Sequence, residues 1–298
     1  MADPIAVIRA FNRSVTRRIG VLNAHYLGGR GPLVESRLLF EIGADGVPVR
    51  DLRARLGLDS GFVSRTLRSL ERQGLVRTVQ PAGGDGRIRV AQLTAAGRAE
   101  LRKINTLSDS LAQSMLAPLT ADQGERLIAA MSEVERLLQA SAVELRIERP
   151  STREAQWCLN RYFEELAARF RGGFDPDLDG TPASEFAPPK GRFLVAWLYE
   201  QPMGCGALKL CDRRTGEIKR LWVAPEARGL GIARRMIHEL ESIARGCRLQ
   251  TIRLDTNESL TEARALYTSC GYREVDPFND NPYAHHWFEK PVARSAGS

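Results

Sequence analysis

The sequence of 298 residues is 43% hydrophobic and 27% charged, which is ordinary for a globular protein, and it contains no internal repeat or low-complexity segment. This length favours two domains, and no apolar run approaches the roughly 18 residues of a membrane span, so we expect no membrane partner. Residues 1–141 carry a net charge of +6 and residues 142–298 a net charge of +1, of the total of +7. The N-terminal half therefore fits a polyanionic partner, with an ordinary solvated surface as the alternative.

The cysteine and histidine content bears on the cellular compartment and on metal binding. The five cysteines are odd in number and show no C-x-x-C spacing, and the first residues lack the apolar stretch of a secretory signal peptide. These observations predict reduced thiols and a cytoplasmic protein. Four histidines without a Cys/His cluster predict no metal site.

The N-terminal half reads as helices interrupted by one short β-hairpin. Apolar spacings of three and four indicate the helices, and the turn-rich stretch "PAGGDG" separates two strands. The order predicts a mainly α winged helix-turn-helix domain over residues 1–141. The predicted elements are helices 5–28 and 33–44, two short helices within 47–76, strands 75–80 and 87–93, and helices 94–117 and 121–141.

The second of the two short helices is the predicted DNA-reading element. Val63, Leu67 and Leu70 recur at the spacing of a buried helix face. An α-helix fits the major groove, where small or basic outward side chains reach base edges, and arginines on a wing can enter the minor groove. For each arginine taken alone, a solvated surface is the alternative. The candidate DNA-binding residues are Ser60, Ser64, Arg65 and Arg68 on the helix, and Arg87 with Arg89 on the wing.

The stretches "LRARLGLDSGFVSRTLRSLERQGLV" and "GDGRIRVAQLTAAG" resemble the MarR family of transcriptional regulators. The family's wing motif Asp-x-Arg matches Asp85 and Arg87, and its "LT-x-x-G" matches Leu93, Thr94 and Gly97. The resemblance covers about residues 5–141. It implies binding to a double-stranded DNA operator and a homodimer built through residues 5–25 and 100–140.

The C-terminal half alternates strands and helices, which predicts an α/β or α+β domain over residues 142–298. A Gly-, Pro- and Asp-rich loop separates its first helix from a series of strands. The predicted elements are strand 142–149, helix 151–170, loop 171–191, strands 192–200, 202–211 and 216–223, helix 229–245, strand 250–256, helix 260–269 and a last strand near 285–290.

The stretch "APEARGLGIARRM", residues 224–236, places two glycines before an amphipathic helix. A glycine-rich loop at a helix N-terminus turns unpaired backbone N–H groups toward an anion, and the helix dipole adds attraction. The spacing matches neither a P-loop nor the dinucleotide motif G-x-G-x-x-G, because Arg234 stands where the third glycine would be. The loop therefore predicts a phosphate site of another kind.

The pattern R-x-x-G-x-A at Arg228, Gly231 and Ala233 resembles the coenzyme A signature of the GNAT acetyltransferases, and "IRLDTNESLTEARALYTSCGYREV" resembles the strand and helix that follow it. The resemblance covers residues 142–298. It implies a central mixed sheet and acetyl-CoA as cofactor. The residues implied for cofactor binding are Leu221, Val223, Arg228, Gly229, Leu230, Gly231, Ile232, Ala233 and Asn257.

The same resemblance gives the catalytic candidates. Tyr267 occupies the position of the family's general acid, with a buried core tyrosine as the alternative. The acceptor ammonium must lose a proton before it attacks the thioester, and a carboxylate, often through water, can act as the base. Glu217 is the best candidate, with a surface ion pair to Lys219 or Arg220 as the alternative. The resemblance places the substrate pocket in two loops, whose candidates are Phe174, Asn279 and Tyr283, with Asp175, Asn281 and Arg171 as further polar groups.

Three functions remain open from the sequence. The first is a bifunctional protein that regulates transcription and transfers an acetyl group from acetyl-CoA to a small amine or amino acid. The second is a transcription factor whose acetyltransferase-like domain senses a ligand or acetyl-CoA without turnover. The third is an acetyltransferase whose winged helix serves dimerisation alone.

Overall fold

The computed structural model describes residues 3–20, 27, 31–80, 89–178 and 181–293. It divides into two compact units, residues 1–132 and 133–298. None of the described helices is both long and apolar enough to cross a lipid bilayer. The predicted domain boundary after residue 141 lies at the end of a long helix, and it stays a prediction.

The N-terminal unit is helical with one small antiparallel sheet. Its helices are α1 (Pro4–Arg18), α2 (Leu33–Ile42), α3 (Val49–Leu56), α4 (Ser60–Arg72), α5 (Ala95–Leu116) and α6 (Ala121–Ala142), and α6 ends in the second unit. Its strands are β1 (Val47–Pro48), β2 (Val76–Val79) and β3 (Val90–Leu93), in the order β1-β3-β2. The predicted helix pair and hairpin are present, and β1 is a strand that its short length hid from the sequence pattern.

Helix α4 begins and packs as its sequence predicts. Asp59 is its N-cap and accepts a hydrogen bond from the backbone N–H of Phe62 at 2.9 Å, and Gly57 ends α3 in the left-handed region at φ 60°. The predicted inward residues Val63, Leu67 and Leu70 are buried in the core of this unit. On the outer face, Ser60, Arg65 and Arg68 are exposed and Ser64 is half-buried.

The start of α5 is fixed against the hairpin by Thr94. Its hydroxyl accepts from the N–H of Gly97 at 3.0 Å and donates to the carbonyl of Gly74 at 2.6 Å. A Cβ atom on Gly97 would overlap the backbone carbonyl of Leu75. The "LT-x-x-G" motif therefore fixes the packing of α5 on the hairpin. Thr94 caps the helix, and Gly97 lets the helix backbone contact the backbone of Leu75.

Two sequence predictions meet the limits of the described residues. Helix α1 ends at Arg18, and Gly20, two residues later, adopts a positive φ. The predicted helix 5–28 was therefore too long. The wing tip, residues 81–88, lies outside the described residues together with Asp85 and Arg87. Arg89 is described, and its carbonyl accepts from the N–H of Val49 at 2.9 Å.

The C-terminal unit is built on a mixed seven-stranded sheet of order β4-β5-β6-β7-β8-β10-β9. The sequence prediction missed the short strand β9 and a 3₁₀ turn, Ala183–Phe186, inside the predicted loop. The elements are β4 (Val143–Glu148), α7 (Arg153–Arg169), β5 (Gly191–Leu198), β6 (Gln201–Leu210), β7 (Thr215–Val223), α8 (Ile232–Gly246), β8 (Thr251–Thr256), α9 (Thr261–Ser269), β9 (Arg273–Val275) and β10 (His286–Pro291).

Strands β7 and β8 pair over part of their length and then separate. They are parallel, and their paired residues run from Thr215 opposite Thr251 to Glu217 opposite Arg253. Strand β7 continues to Val223. Before that end it is bent by a bulge against β6 and by the positive φ of 59° at Arg220. The separation leaves an open edge on β7 in the middle of the sheet.

Helices cover both faces of this sheet, and each face has its own core. Helices α8 and α9 pack on one side, around Ile237, Leu240 and Tyr267, and helix α7 packs on the other, around Cys158 and Leu159. The open edge of β7 therefore lies between two helical layers.

Replacing Gly97 by Ala tests the contact between α5 and the hairpin. Gly97→Ala should lower the free energy of unfolding of the full chain by about 1–3 kcal/mol, because the added methyl group meets backbone that cannot rotate away. The control is Gly124→Ala in α6, where a Cβ atom meets nothing within 4 Å. Better helix propensity should make that change stabilising by about 0.5–1 kcal/mol. Urea unfolding that gives both variants the same sign would contradict the contact.

Candidate active site

The glycine loop before α8 has the backbone of an anion site. Gly229 and Gly231 have φ of 81° and 74°, and a Cβ atom on either would meet nothing within 4 Å, so this side of the loop is open. Helix α8 begins at Ile232 with Gly231 as its N-cap, and no side chain caps it. The first N–H groups of a helix have no partner within it, so those of α8 suit the pyrophosphate of coenzyme A.

The side chains of the loop hold it in place and leave anion binding to the backbone. Leu230 and Ile232 are buried in the core. Arg228 donates from Nε to the carbonyl of Val223 at 3.1 Å and from Nη2 to Glu165 of α7 at 2.6 Å. Glu165 also accepts from Nε1 of Trp222 at 2.8 Å. The sequence did not indicate Glu165, because no local motif links it to the loop.

The end of α6 is also tied to this loop. Arg136 donates to the carbonyl of Gly229 at 3.2 Å. Arg235, in the first turn of α8, donates to the carbonyls of Ala140 at 2.9 Å and Val143 at 2.7 Å. These bonds join the C-terminal turn of one helix to the N-terminal turn of another.

An apolar groove runs from the loop along the open edge of β7. Leu221, Val223 and Ala233, all predicted to bind the cofactor, line it together with Leu266 and Tyr267. The groove fits the elongated pantetheine arm, whose amides can pair with the free strand edge.

An ion-pair chain from α7 to α9 borders the groove. Arg169 contacts Glu165 at 3.3 Å, pairs closely with Glu262 and donates to the carbonyl of Ser259 at 2.7 Å. The hydrogen bond from Arg169 is the main cause that lowers the pKa of Glu262 to about 2.

Tyr267 lines both this groove and a second, adjoining cavity, and residues of α7 also line both. It is 6% exposed, and its burial, with smaller contributions from Tyr162 and Asp255, raises the pKa of its phenol well above the ordinary value. The phenol therefore stays protonated at neutral pH, as a general acid must. The ring of Tyr267 also belongs to the hydrophobic core, in line with the alternative of a core tyrosine.

The second cavity brings together the predicted substrate loops. Phe174 and Tyr283 line it, with ring centroids 4.8 Å apart, and the hydroxyl of Tyr283 accepts from the N–H of Asp175 at 2.9 Å. Asn281 lines it as well. The side chains of Arg171 and Asp175 are not among the described residues that line the cavity.

A buried charged cluster closes one end of this cavity. The carboxylates of Glu217 and Asp255 lie 3.4 Å and 3.6 Å from Nζ of Lys219, and all three side chains are at most 10% exposed. Asn279 donates to Asp255 at 2.7 Å and to Glu217 at 3.3 Å. The ion pair of Glu217 with Lys219 thus exists, but it is buried. Asp255 and Lys219 line the cavity, whereas Glu217 is not among the described residues that line it.

Asn257 joins the end of β8 to the substrate loop. Its amide accepts from the N–H of Ser259 at 2.9 Å and donates to the carbonyl of Tyr283 at 2.7 Å. Its predicted contact with the cofactor stays a prediction. His285 lies 3.2 Å from the Asn257 amide and His286 contacts Glu274, so they diverge as expected. No group of three or more metal-ligating side chains occurs in the part of the chain that the structure describes.

Comparison with known proteins follows the two units. A model of the acetyltransferase (GNAT) family matches residues 155–272, and a model of the MarR family matches residues 31–88. An IAA acetyltransferase of Azospirillum brasilense is 36% identical over 111 residues, which are 36% of this chain and 71% of that protein. The uncharacterized N-acetyltransferase YsnE of Bacillus subtilis is 33% identical over 94 residues, which are 31% of this chain and 62% of that protein.

Among solved structures, an acetyltransferase of the GNAT family from Staphylococcus aureus matches with a TM-score of 0.45 and 16% identity, covering 51% of this chain and all of the other.

The loop geometry can be tested through the affinity for coenzyme A. Gly231→Ala should raise the Kd about tenfold, because a side chain is strained at positive φ and the backbone must move away from the phosphate. The control is Gly57→Ala, which has a similar φ of 60° and equally open surroundings. Calorimetry on the full-length chain should show a change for Gly231→Ala alone, and equal Kd values for both variants and the wild type would contradict the loop assignment.

Proposed function

Because this chain belongs to the acetyltransferase (GNAT) family and carries a MarR-family segment before that domain, we propose that it acetylates a small amine or amino acid and also regulates transcription. The observation that carries the enzymatic part is the position of Tyr267, a buried tyrosine that lines both the cofactor groove and the second cavity. One proton donor thus reaches the thioester from one side while an acceptor occupies the other.

The cofactor residues hold acetyl-CoA in an extended form. The N–H groups of residues 229–233 bind the pyrophosphate, and the backbone of Leu221 and Val223 pairs with the pantetheine arm. Acetyl-CoA supplies an acetyl group activated as a thioester. The bulge at Arg220 and the separation of β7 from β8 give the acyl end access to the second cavity.

Two side chains move protons in the proposed reaction. Glu217, through water, takes the proton that the acceptor ammonium must lose before it attacks. Tyr267 donates a proton to the coenzyme A thiolate as it leaves, and the second proton that the acceptor nitrogen loses as it becomes an amide restores the phenol. The burial of Glu217 beside Lys219 keeps this carboxylate away from direct contact with the acceptor, which supports a relay through water.

The DNA-binding proposal rests on α4. Its outer face presents Ser60, Arg65 and Arg68 to solvent, as a major-groove helix requires. Apolar side chains that a single chain leaves exposed support a homodimer, because they need a second copy to be buried. They are Ile5, Ile8 and Phe11 on α1 and Ile128, Met131 and Leu138 on α6.

The sensor without turnover remains the second candidate for the C-terminal unit. The buried, protonated Tyr267 between two cavities favours turnover, since ligand binding alone does not need a proton donor there. Release of coenzyme A thiol from acetyl-CoA with a panel of amines distinguishes the two, because a sensor binds without releasing thiol.

Tyr267→Phe should lower kcat about 10²–10⁴-fold at saturating acetyl-CoA, because the leaving thiolate loses its proton donor. The control is Tyr272→Phe, which removes the hydroxyl of a neighbouring buried tyrosine that lines neither cavity in the described structure. Since burial raises the pKa of Tyr267, the wild type should show no loss of kcat from its ionisation below about pH 10. An unchanged rate in Tyr267→Phe would remove Tyr267 as the acid.

DNA binding can be tested by its salt dependence. Arg65→Ala combined with Arg68→Ala should weaken binding to the gene's upstream region and reduce the slope of log K against log salt by about 0.9 for each phosphate that the variant no longer neutralises. Arg126→Ala, on α6, removes an arginine that is 79% exposed and serves as the control. An unchanged slope in the double variant would show that α4 does not contact the DNA backbone.

A further inference from the structure

The second cavity has one wall of aromatic side chains. Phe170 contacts Phe174 and Tyr283 with ring centroids 5.8 Å apart in both pairs, and Tyr162 completes the wall. All four side chains are half-buried and line the cavity. Apolar rings that stay partly accessible inside a cavity favour an apolar or aromatic ligand group.

The opposite end of the cavity is suited to one ammonium group. The carboxylate of Asp255 is oriented by Asn279 and Asn281, which donate to its two oxygens at 2.7 Å and 3.1 Å. Nε1 of Trp287 donates to the Asn279 carbonyl at 2.8 Å and so fixes that amide. Two carboxylates, Glu217 and Asp255, share the ammonium of Lys219, so a further positive charge beside Asp255 is favoured.

The remaining charges disfavour a second ammonium on the same ligand. Lys219 and Arg220 both line the cavity, and Asp255 is the carboxylate among its described lining residues. The Arg220 guanidinium lies 4.8 Å from the ring centroid of Phe163, behind the aromatic wall. The described lining therefore offers a polyamine no second carboxylate for its distal ammonium.

We propose that the acetyl acceptor is a primary monoamine that carries a compact aromatic group, with its ammonium held by Asp255 and its aromatic group against Phe174 and Tyr283. This inference rests on the acetyl transfer proposed above. Both an arylalkylamine and an aromatic amino acid have this chemistry, and they differ in a carboxylate.

The first test compares four amines with the full-length protein and acetyl-CoA: 2-phenylethylamine, L-phenylalanine, ethanolamine and spermidine. The kcat/KM from thiol release should be at least about tenfold higher for one of the two aromatic amines than for ethanolamine or spermidine, as burial of a phenyl group predicts. The better of the two aromatic amines shows whether a carboxylate is accepted. A preference for spermidine or ethanolamine would overturn the acceptor class while leaving acetyl transfer intact.

Variants of Phe174 and Asp255 test whether these residues cause the preference for aromatic amines. Phe174→Leu should raise the KM for the aromatic amine several-fold and Phe174→Ala about tenfold, with the KM for acetyl-CoA unchanged. Asp255→Asn should raise the KM for every amine. The controls are Ile147→Ala, an exposed apolar side chain on β4, and Asp276→Asn, an exposed carboxylate. Equal KM values for the Phe174 variants and the wild type would overturn the aromatic wall.

A binding measurement separates this inference from the proposed function. Calorimetric titration of 2-phenylethylamine and L-phenylalanine into the protein loaded with coenzyme A should show binding that Asp255→Asn and Phe174→Ala weaken and the controls do not. Binding without thiol release from any amine would overturn the proposed turnover and keep the ligand class. Absence of binding by both aromatic amines would overturn the ligand class.

Discussion

The separation of β7 from β8 after Glu217 and Arg253 is the constraint on which the site depends. A continuous sheet would satisfy the β7 edge with backbone hydrogen bonds and seal one helical layer from the other. The separation instead leaves strand edge for an extended ligand. Tyr267 of α9 is among the residues that line both the groove along this edge and the second cavity.

The opening must be held apart, and charged side chains do so. Glu165 accepts from Trp222 on β7 and from Arg228 in the loop, so one carboxylate of α7 fixes both the end of the strand and the start of the glycine loop. Arg169, one helical turn later, extends the contact to Glu262 on α9. Partly buried charged side chains such as Glu165 and Arg169 cost free energy unless they are paired. Here their ion pairs link the elements around the groove.

Sequence reasoning found what is encoded locally. The spacing of Val63, Leu67 and Leu70 indicated α4, and the two glycines indicated the loop that starts α8, because periodicity and turn chemistry act within a few residues. Phe174 and Tyr283 of the aromatic wall were among the candidates, but Tyr162, Phe170, Glu165 and Asp255 were not, since their contacts come from residues tens of positions away. The burial of Glu217 was missed for the same reason, because the loop carrying Asn279 covers it. The apolar residues of α1 that the spacing pattern picked out are exposed in the described structure, so what buries them stays a prediction.

The hydrogen bond from Arg136 to the carbonyl of Gly229 has an electronic consequence for the loop. The same peptide unit carries the N–H of Leu230, and a cation on its oxygen polarises the unit and makes that N–H a stronger donor. Hydrogen bonds in such chains strengthen one another. If a pyrophosphate binds at the loop as proposed, the ion pair of Arg136 with Glu133 on α6 therefore acts on it through one peptide plane.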